Sequence, residues 1–352
     1  MRSRDKAADT DGYEPGLLRS DRMSTITIGD VAQALGVSKT TVSRAISGKG
    51  RISERTRERV LQYIEEHNFK PNAVAQSLAA QKTFNIGLVC PIEYEMFSLT
   101  YFHRCALGIS EVAAENGYDM LISMVNGDDV TDLRRSVENH KVDGVILTRS
   151  LTDDVCIKYL KASGIPFVVI GTTPDPEVMQ VDNDHLGACS ELTSILIAKG
   201  CRKLLLAGGE KKNIISQTRA KGFCEGFRRA GLAADESWIY YDTEIRGAIP
   251  EILARAMREH ADGIVCMDEK LAETVLSQCR KKGIRIPKDL KLASFYDSCF
   301  LADSVPSVTA IDIDDTKLGI VAAHTLLKLI RGEPVQNQYL RNYQIILRES
   351  TT

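Results

Sequence analysis

The sequence predicts two structural classes joined end to end: a small all-helical module and, after it, a larger α/β body in two halves. Three observations carry that expectation. At 352 residues the chain is longer than one ordinary domain. Between residues 27 and 80 apolar side chains recur at three- and four-residue spacing, whereas from residue 85 short apolar runs alternate with amphipathic stretches. Charge divides at the same place. Residues 24–82 hold nine basic and five acidic side chains, a balance of +4, and residues 83–352 hold 31 and 37, a balance of −6, which the overall −2 conceals.

Residues 1–23 carry five basic and five acidic side chains, show no apolar period and include Gly12, Pro15 and Gly16, the make-up of a disordered extension. Met23 stands just ahead of the first regular element and is an alternative start of translation, which mass spectrometry of the natural protein would decide. The extension lacks an apolar signal core, and no run in the sequence approaches the ~20 residues of a membrane span. A cytoplasmic protein that makes no use of membranes is expected.

The head, residues 24–70, reads as three helices. Thr27 and Asp30 have capping-box spacing, and Ile28, Val31, Ala32 and Leu35 share one face. Gly36 breaks this helix and Ser38 caps the next, where Val42, Ala45 and Ile46 repeat. Beyond the glycine loop at 48–50, Ser53 caps a third helix, with Val60, Leu61 and Ile64 expected inward and Arg55, Arg57, Glu58 and Arg59 in water. Pro71 and Asn72 then open a brief helix and linker over 71–82, built of small residues plus Val74 and Leu78.

Across 83–352 the candidate strands are 85–90, 119–124, 144–148, 167–170, 203–207, 239–241, 263–266, 291–295 and 307–311. Nine strands are too many for one compact sheet of about 135 residues, so two halves are expected, one on each side of residues 187–200. Ligands of such folds sit outside the carboxyl ends of the strands, which makes a cleft between the halves the default site. The nine cysteines form no Cys-x-x-Cys pair, and His103, His140 and His185 have no metal spacing, so buried free thiols and no metal or other cofactor are expected. There is no G-x-G-x-x-G, P-loop or G-x-S-x-G motif, which weakens the case for an enzyme on this scaffold. A secreted solute-binding protein is the third class, and the basic head and the missing signal core count against it.

Within residues 27–79, D-V-A at 30–32, G-V-S at 36–38, T-V-S-R at 41–44, T-R-E-x-V at 56–60 and P-N-x-V-A-x-x-L at 71–78 follow in order. This segment resembles the DNA-binding headpiece of the lactose-repressor family of bacterial regulators. The resemblance implies a helix-turn-helix whose second helix enters the major groove, where base edges present a distinctive donor and acceptor pattern. It places Lys39, Thr40 and Arg44 at base-reading positions, and Arg44 suits bidentate binding of guanine. Ser38, Thr41, Ser43 and Arg51 are phosphate candidates, with Thr41 and Ser43 equally readable as ordinary polar surface. Thr27, Asn72 and Ala75 complete the DNA-facing set. Residues 71–80 resemble the family's hinge helix, in which Leu78 matches the side chain that wedges between base pairs. The implied partner is double-stranded, pseudo-palindromic operator DNA bound by a homodimer.

The resemblance continues, more loosely, over 85–347 to the family's two-lobed periplasmic-binding-protein-like sensor. Its landmarks are Y-F at 101–102, D-G-V-I at 143–146, I-P-F-V-V-I at 165–170, V-D-N at 181–183, R-A-K-G-F at 219–223 and Y-D at 296–297. It implies an effector site at Tyr101, Phe102, Ser150, Asp182, Arg219, Asp268 and Asp297. For each of these a lobe-closing ion pair or a surface charge is the competing reading. Asp268 and Glu269 stand where the family usually has Asn and Asp. An arginine among several carboxylates suits a ligand with many hydroxyls, so a sugar or sugar derivative is the expected effector, with a nucleobase or nucleoside as the alternative. The implied function is transcriptional repression, with activation as the alternative; inducer and corepressor are equally compatible. Effector binding would alter lobe closure and so the attachment of the hinge near residue 84. Throwing such a switch from 1:99 to 99:1 takes about 5.5 kcal/mol of differential affinity.

Overall fold

A computed structural model of the chain describes residues 26–48, 50–67, 69, 77, 80–92, 99–243 and 246–352. The expectations for residues 1–23 and for Asn72, Ala75 and Leu78 fall outside them. The chain separates into two units, Met1–Gln81 and Lys82–Thr352.

The first unit holds helices α1 (Ile28–Leu35), α2 (Lys39–Ser47) and α3 (Glu54–Glu66). Their beginnings are fixed locally. Thr27 and Asp30 form a reciprocal capping box, the Ser38 hydroxyl accepts from Thr41 N, and the Ser53 hydroxyl accepts from Thr56 N. Val31, Ala32, Val42, Ala45, Val60 and Phe69 form the core. Leu61 corrects the expected pattern, for it is 43% exposed while Tyr63 and Ile64 pack inward. A helix places residues three and four beyond Val60 on its face and turns the next residue about 100° away.

The second unit is two sheets of six strands. Lobe 1 contains β1 (Asn85–Pro91), β2 (Asp119–Val125), β3 (Gly144–Leu147), β4 (Phe167–Ile170), β5 (Gln180–Asn183) and β11 (Gln338–Leu340), in the order β11-β5-β4-β3-β1-β2 and all parallel. Lobe 2 contains β6 (Leu204–Ala207), β7 (Ile239–Tyr240), β8 (Gly263–Cys266), β9 (Lys291–Ser294), β10 (Thr309–Ile313) and β12 (Tyr343–Ile346), in the order β12-β10-β9-β8-β6-β7, with only β12 antiparallel to its neighbour. Interior strands such as β3, β6 and β8 are buried along their whole length, as strands covered by helices on both faces must be.

Helices α4 (Thr100–Glu115), α5 (Thr131–Glu138) and α6 (Val155–Ser163) cover lobe 1. Helices α7 (His185–Ala198), α8 (Ile214–Arg229), α9 (Ile249–Arg258), α10 (Glu269–Lys282) and α11 (Cys299–Asp303) belong to lobe 2. The last helix, α12 (Asp315–Ile330), returns to lobe 1 and packs on α4. The chain therefore passes between lobes three times, before α7, before α12 and between β11 and β12. A single division near residues 187–200 accounts for the first passage only. Strands β5, β11 and β12 were absent from the sequence expectation, because Q-V-D-N is polar and the other two are short and half exposed.

Seven of the nine cysteines are buried as expected, whereas Cys224 is half-buried and Cys299 exposed. Among the described residues no helix is long and apolar enough to cross a membrane.

Candidate functional site

On α2 the buried side chains are Val42 and Ala45, and Lys39, Thr40, Ser43 and Arg44 are exposed. The pairs 39/43 and 40/44 are one helical turn apart, so these four make a single outward face. Ser38 and Thr41 stand at its beginning with their hydroxyls 2.9 Å apart, and the Ser38 hydroxyl also accepts from Thr41 N at 3.0 Å. Their first task is thus the cap. The stem of Lys39 lies over Gly29 of α1, and that of Arg44 lies over Gly50. Gly50 has φ +91°, and a Cβ there would come within 3.0 Å of Arg44 Cδ and Nε, so only glycine fits this turn with Arg44 so placed. Arg51 follows and is exposed. Thr27, also exposed, donates through both N and Oγ1 to Asp30 Oδ2 at 2.8 Å, and these bonds hold the Asp30 carboxyl below its usual range.

Between the two lobes lies a cleft of roughly 700 Å³ including its mouth. Six of the seven expected residues line it: Tyr101, Phe102, Ser150, Asp182, Arg219 and Asp268. They arrive from the first turn of α4, from the ends of β3, β5 and β8 and from α8, in keeping with the rule for open α/β sheets. Tyr101 packs against the cores of both lobes and donates through its hydroxyl to Thr148 O at 3.0 Å. Ser150 Oγ donates to Thr172 O at 2.6 Å. Asp182 accepts from Asn183 N at 2.8 Å and lies 3.4 Å from His185 Nε2. Asp268 caps α10 through Leu271 N at 2.9 Å, and burial pushes its carboxyl up.

Asp297 does not join them. Arg348 holds it in a bidentate pair at 2.8 and 2.6 Å, and its carboxylate also receives Ser298 N. Its neighbour Tyr296 lines the cleft instead. Sequence reasoning also missed His185, Asn213 and Glu269 on the cleft wall. The signal for His185 is its i,i+3 spacing from Asp182 at the start of α7; among the described residues no cluster fit for a metal occurs.

Two polar atoms of this wall, Arg219 Nε and Asn213 Oδ1, are buried without a partner among the described residues, while Arg219 Nη1 donates to Met267 O at 2.6 Å. An unpaired buried donor or acceptor costs about 1–3 kcal/mol, which a ligand offering the complementary group recovers. The Arg219 guanidinium is also 5.9 Å from the centre of the Tyr296 ring. Aromatic faces beside an arginine, an amide and carboxylates suit a small ring carrying several hydroxyl groups.

The loop with Lys211 and Lys212 is exposed; Lys212 pairs with Glu210 at 2.7 Å and Lys211 lies 5.6 Å from the centre of the Tyr241 ring.

Residues 27–72 match the family described as bacterial regulatory proteins, lacI family, and residues 193–351 match the periplasmic binding protein-like domain. Over 332 residues, 92% of this chain and 97% of the relative, the sequence is 32% identical to the HTH-type transcriptional regulator MalR of Streptococcus pneumoniae. The solved complex of the transcriptional regulator CelR with cellobiose superposes with a TM-score of 0.69 at 27% identity, over 92% of this chain and 99% of that one. A probable maltose operon transcriptional repressor, malR, from a Staphylococcus gives 0.71 at 25% identity, over 77% and 98%.

Proposed function

This chain belongs to the lacI family of bacterial regulatory proteins, DNA-binding transcription regulators and not enzymes, and we propose that it is a cytosolic repressor governed by a sugar bound between its lobes. The observation that carries the effector half of this reading is the cleft itself, where six of the expected residues converge and Arg219 Nε and Asn213 Oδ1 lack partners among the described residues. A relative solved with cellobiose and another named for a maltose operon support the same class of ligand. Asp297 has no part in it.

On the DNA side the outward face of α2 supports Lys39, Thr40 and Arg44 as base readers. Thr27, Ser38, Thr41, Ser43 and Arg51 then serve as phosphate contacts that fix register. Asn72, Ala75 and Leu78 are assigned to a minor-groove hinge, with Leu78 as its wedge. One headpiece reads one half-site, so the acting species is a homodimer on a pseudo-palindrome. The sensor begins with Thr83 N and Phe84 N bonded to the Asp143 carboxylate at 2.7 and 3.0 Å. That anchorage ties the hinge attachment to the floor of β3, so a change in closure reaches the hinge through lobe 1.

The test begins with selection of a binding site from random duplex DNA, followed by gel shifts on that site at several salt concentrations with and without maltose and cellobiose. The expected result is a pseudo-palindromic site whose affinity changes with one of these sugars in the native chain and not in Arg219→Ala. Failure to bind any DNA sequence-specifically would refute the regulator reading. An operator response to neither sugar, with no thermal shift from either, would refute the proposed ligand class.

A further inference from the structure

Both rims of the cleft are bridged. On one, Leu151 and Asn213 form an antiparallel bridge, flanked by Thr152 N donating to Lys212 O at 3.0 Å and Ile214 N to Ser150 O at 3.2 Å. On the other, Thr100 N at the start of α4 donates to Glu269 Oε1 at 2.9 Å. Among the described residues helix α4 has no side-chain cap from its own segment: Leu99 at its N-cap position makes no side-chain cap bond, and its first turn holds no acidic residue. The first four amides of a helix need outside acceptors. Here the oxygen comes from the first turn of α10 in the other lobe.

We propose that Glu269 is the latch of the sensor, a positioning residue that supplies across the cleft the cap α4 lacks and thereby favours closed lobes around the effector. Its consequence for effector binding rests on the sugar-cleft reading above; the latch itself does not.

The carboxyl works best uncharged. Glu269 is 5% exposed, and burial, followed by the charge of Asp268 beside it, pushes it up to about 7, against the pull of the Thr100 amide and of Arg219. Opening the lobes returns the group to water and towards its ordinary value. Closure therefore takes up a proton and strengthens as pH falls, because a protonated carboxyl still accepts the amide through its carbonyl oxygen and buries no charge. Asp268, Arg219, Tyr296 and His185 stand on its own lobe; Arg149 and Asp182 lie on the facing wall, and Asp315 of α12 stands behind Tyr296. Asp315, whose own carboxyl is pushed up by burial, is the rival source of a pH effect.

Hydrogen–deuterium exchange of the full chain without sugar, at pH 6 and pH 8 and corrected for intrinsic exchange, reads the amide of Thr100 directly. Protection about tenfold greater at pH 6 than at pH 8 is expected, the ratio that follows for a carboxyl raised to about 7 on closing. Glu269→Gln keeps the acceptor without the charge, so its Thr100 should be well protected at both values. Glu269→Ala should be poorly protected at both. If Glu269→Gln keeps the pH dependence of the native chain, or Glu269→Ala keeps its protection, the latch is overturned. The Gln comparison decides alone if the Ala variant does not fold. Adding maltose and cellobiose to the same samples separates the two readings: a latch that behaves as expected while neither sugar binds removes the sugar and leaves the latch.

Discussion

Asp315 is wholly buried at the first turn of α12 and receives hydrogen bonds from the Tyr296 hydroxyl and from Asn183 Nδ2, the latter at 3.2 Å. Burial pushes its carboxyl up to about 7; the Tyr296 bond and the charges of Arg104 and Arg219 only soften the effect. Among the described residues Asn183 Oδ1 is buried without a partner, and a turned amide would present it to the proton of a neutral Asp315. With the folded value above the unfolded one, the native state binds more protons, so this group's contribution to stability is full below about pH 4 and is lost as pH rises through about 7. Asp315→Asn removes the titration and keeps an acceptor for Tyr296. Relative to that variant the native protein should lose on the order of 1 kcal/mol of stability per pH unit between about pH 5 and 7. Urea unfolding of both chains across that range measures the difference; a constant gap would show that Asp315 is ionised throughout.

At the level of elements, α4 and α12 meet backbone to backbone. A Cβ on Gly108 would lie 2.1 Å from Thr316 O, and one on Gly319 would lie 2.2 Å from Cys105 O. No rotamer relieves a clash with a carbonyl oxygen, so Gly108→Ala must push the helices apart, at a cost on the order of 1–3 kcal/mol. Its melting temperature should fall by several degrees, with Gly108→Val lower still; a native-like melt for Gly108→Ala would mean that the helices are not so close. This close approach also explains what the sequence could not announce. The head was legible because its signals are local: a cap, an apolar period and a terminating glycine all lie within a few residues of one another. The return of α12 to lobe 1 depends on two glycines far apart in sequence, and β5 owes its place to pairing with β4 and β11 rather than to any apolar run. In the cleft, motif position found Asp182 and Arg219, but that Tyr296 lines it and Asp297 does not goes with the Arg348 pair, which arrives from the far end of the chain. Glu269 acquires its task only when α4 arrives from the other lobe.

For the whole molecule, the opposed charges of head and sensor, +4 and −6, set how it meets DNA. Each phosphate neutralised releases counterions, and the slope of log affinity against log salt steepens by about 0.9 per phosphate. Arg51 and Arg44 should then fail differently. Arg51 is exposed beyond the Gly50 turn and assigned to phosphate, so Arg51→Ala should weaken specific and nonspecific DNA alike and flatten the slope by about 1 for each headpiece engaged. Arg44 projects from the outward face of α2, seated over Gly50, and is assigned to a guanine edge. Arg44→Ala should cost about 1–3 kcal/mol on the selected site and little on unrelated sequence, relaxing preference at one base position of each half-site. Fluorescence anisotropy titrations between about 50 and 200 mM salt, on the selected site and on scrambled DNA, resolve both effects in the full chain. Equal losses from the two substitutions on both DNAs would mean that α2 lies against the backbone and reads no bases. An unchanged slope in Arg51→Ala would place the following loop away from DNA. The sensor's negative charge sharpens the distinction: with no basic surplus outside the head to sustain nonspecific attraction, the rest of the chain does not mask what the substitutions at residues 44 and 51 remove.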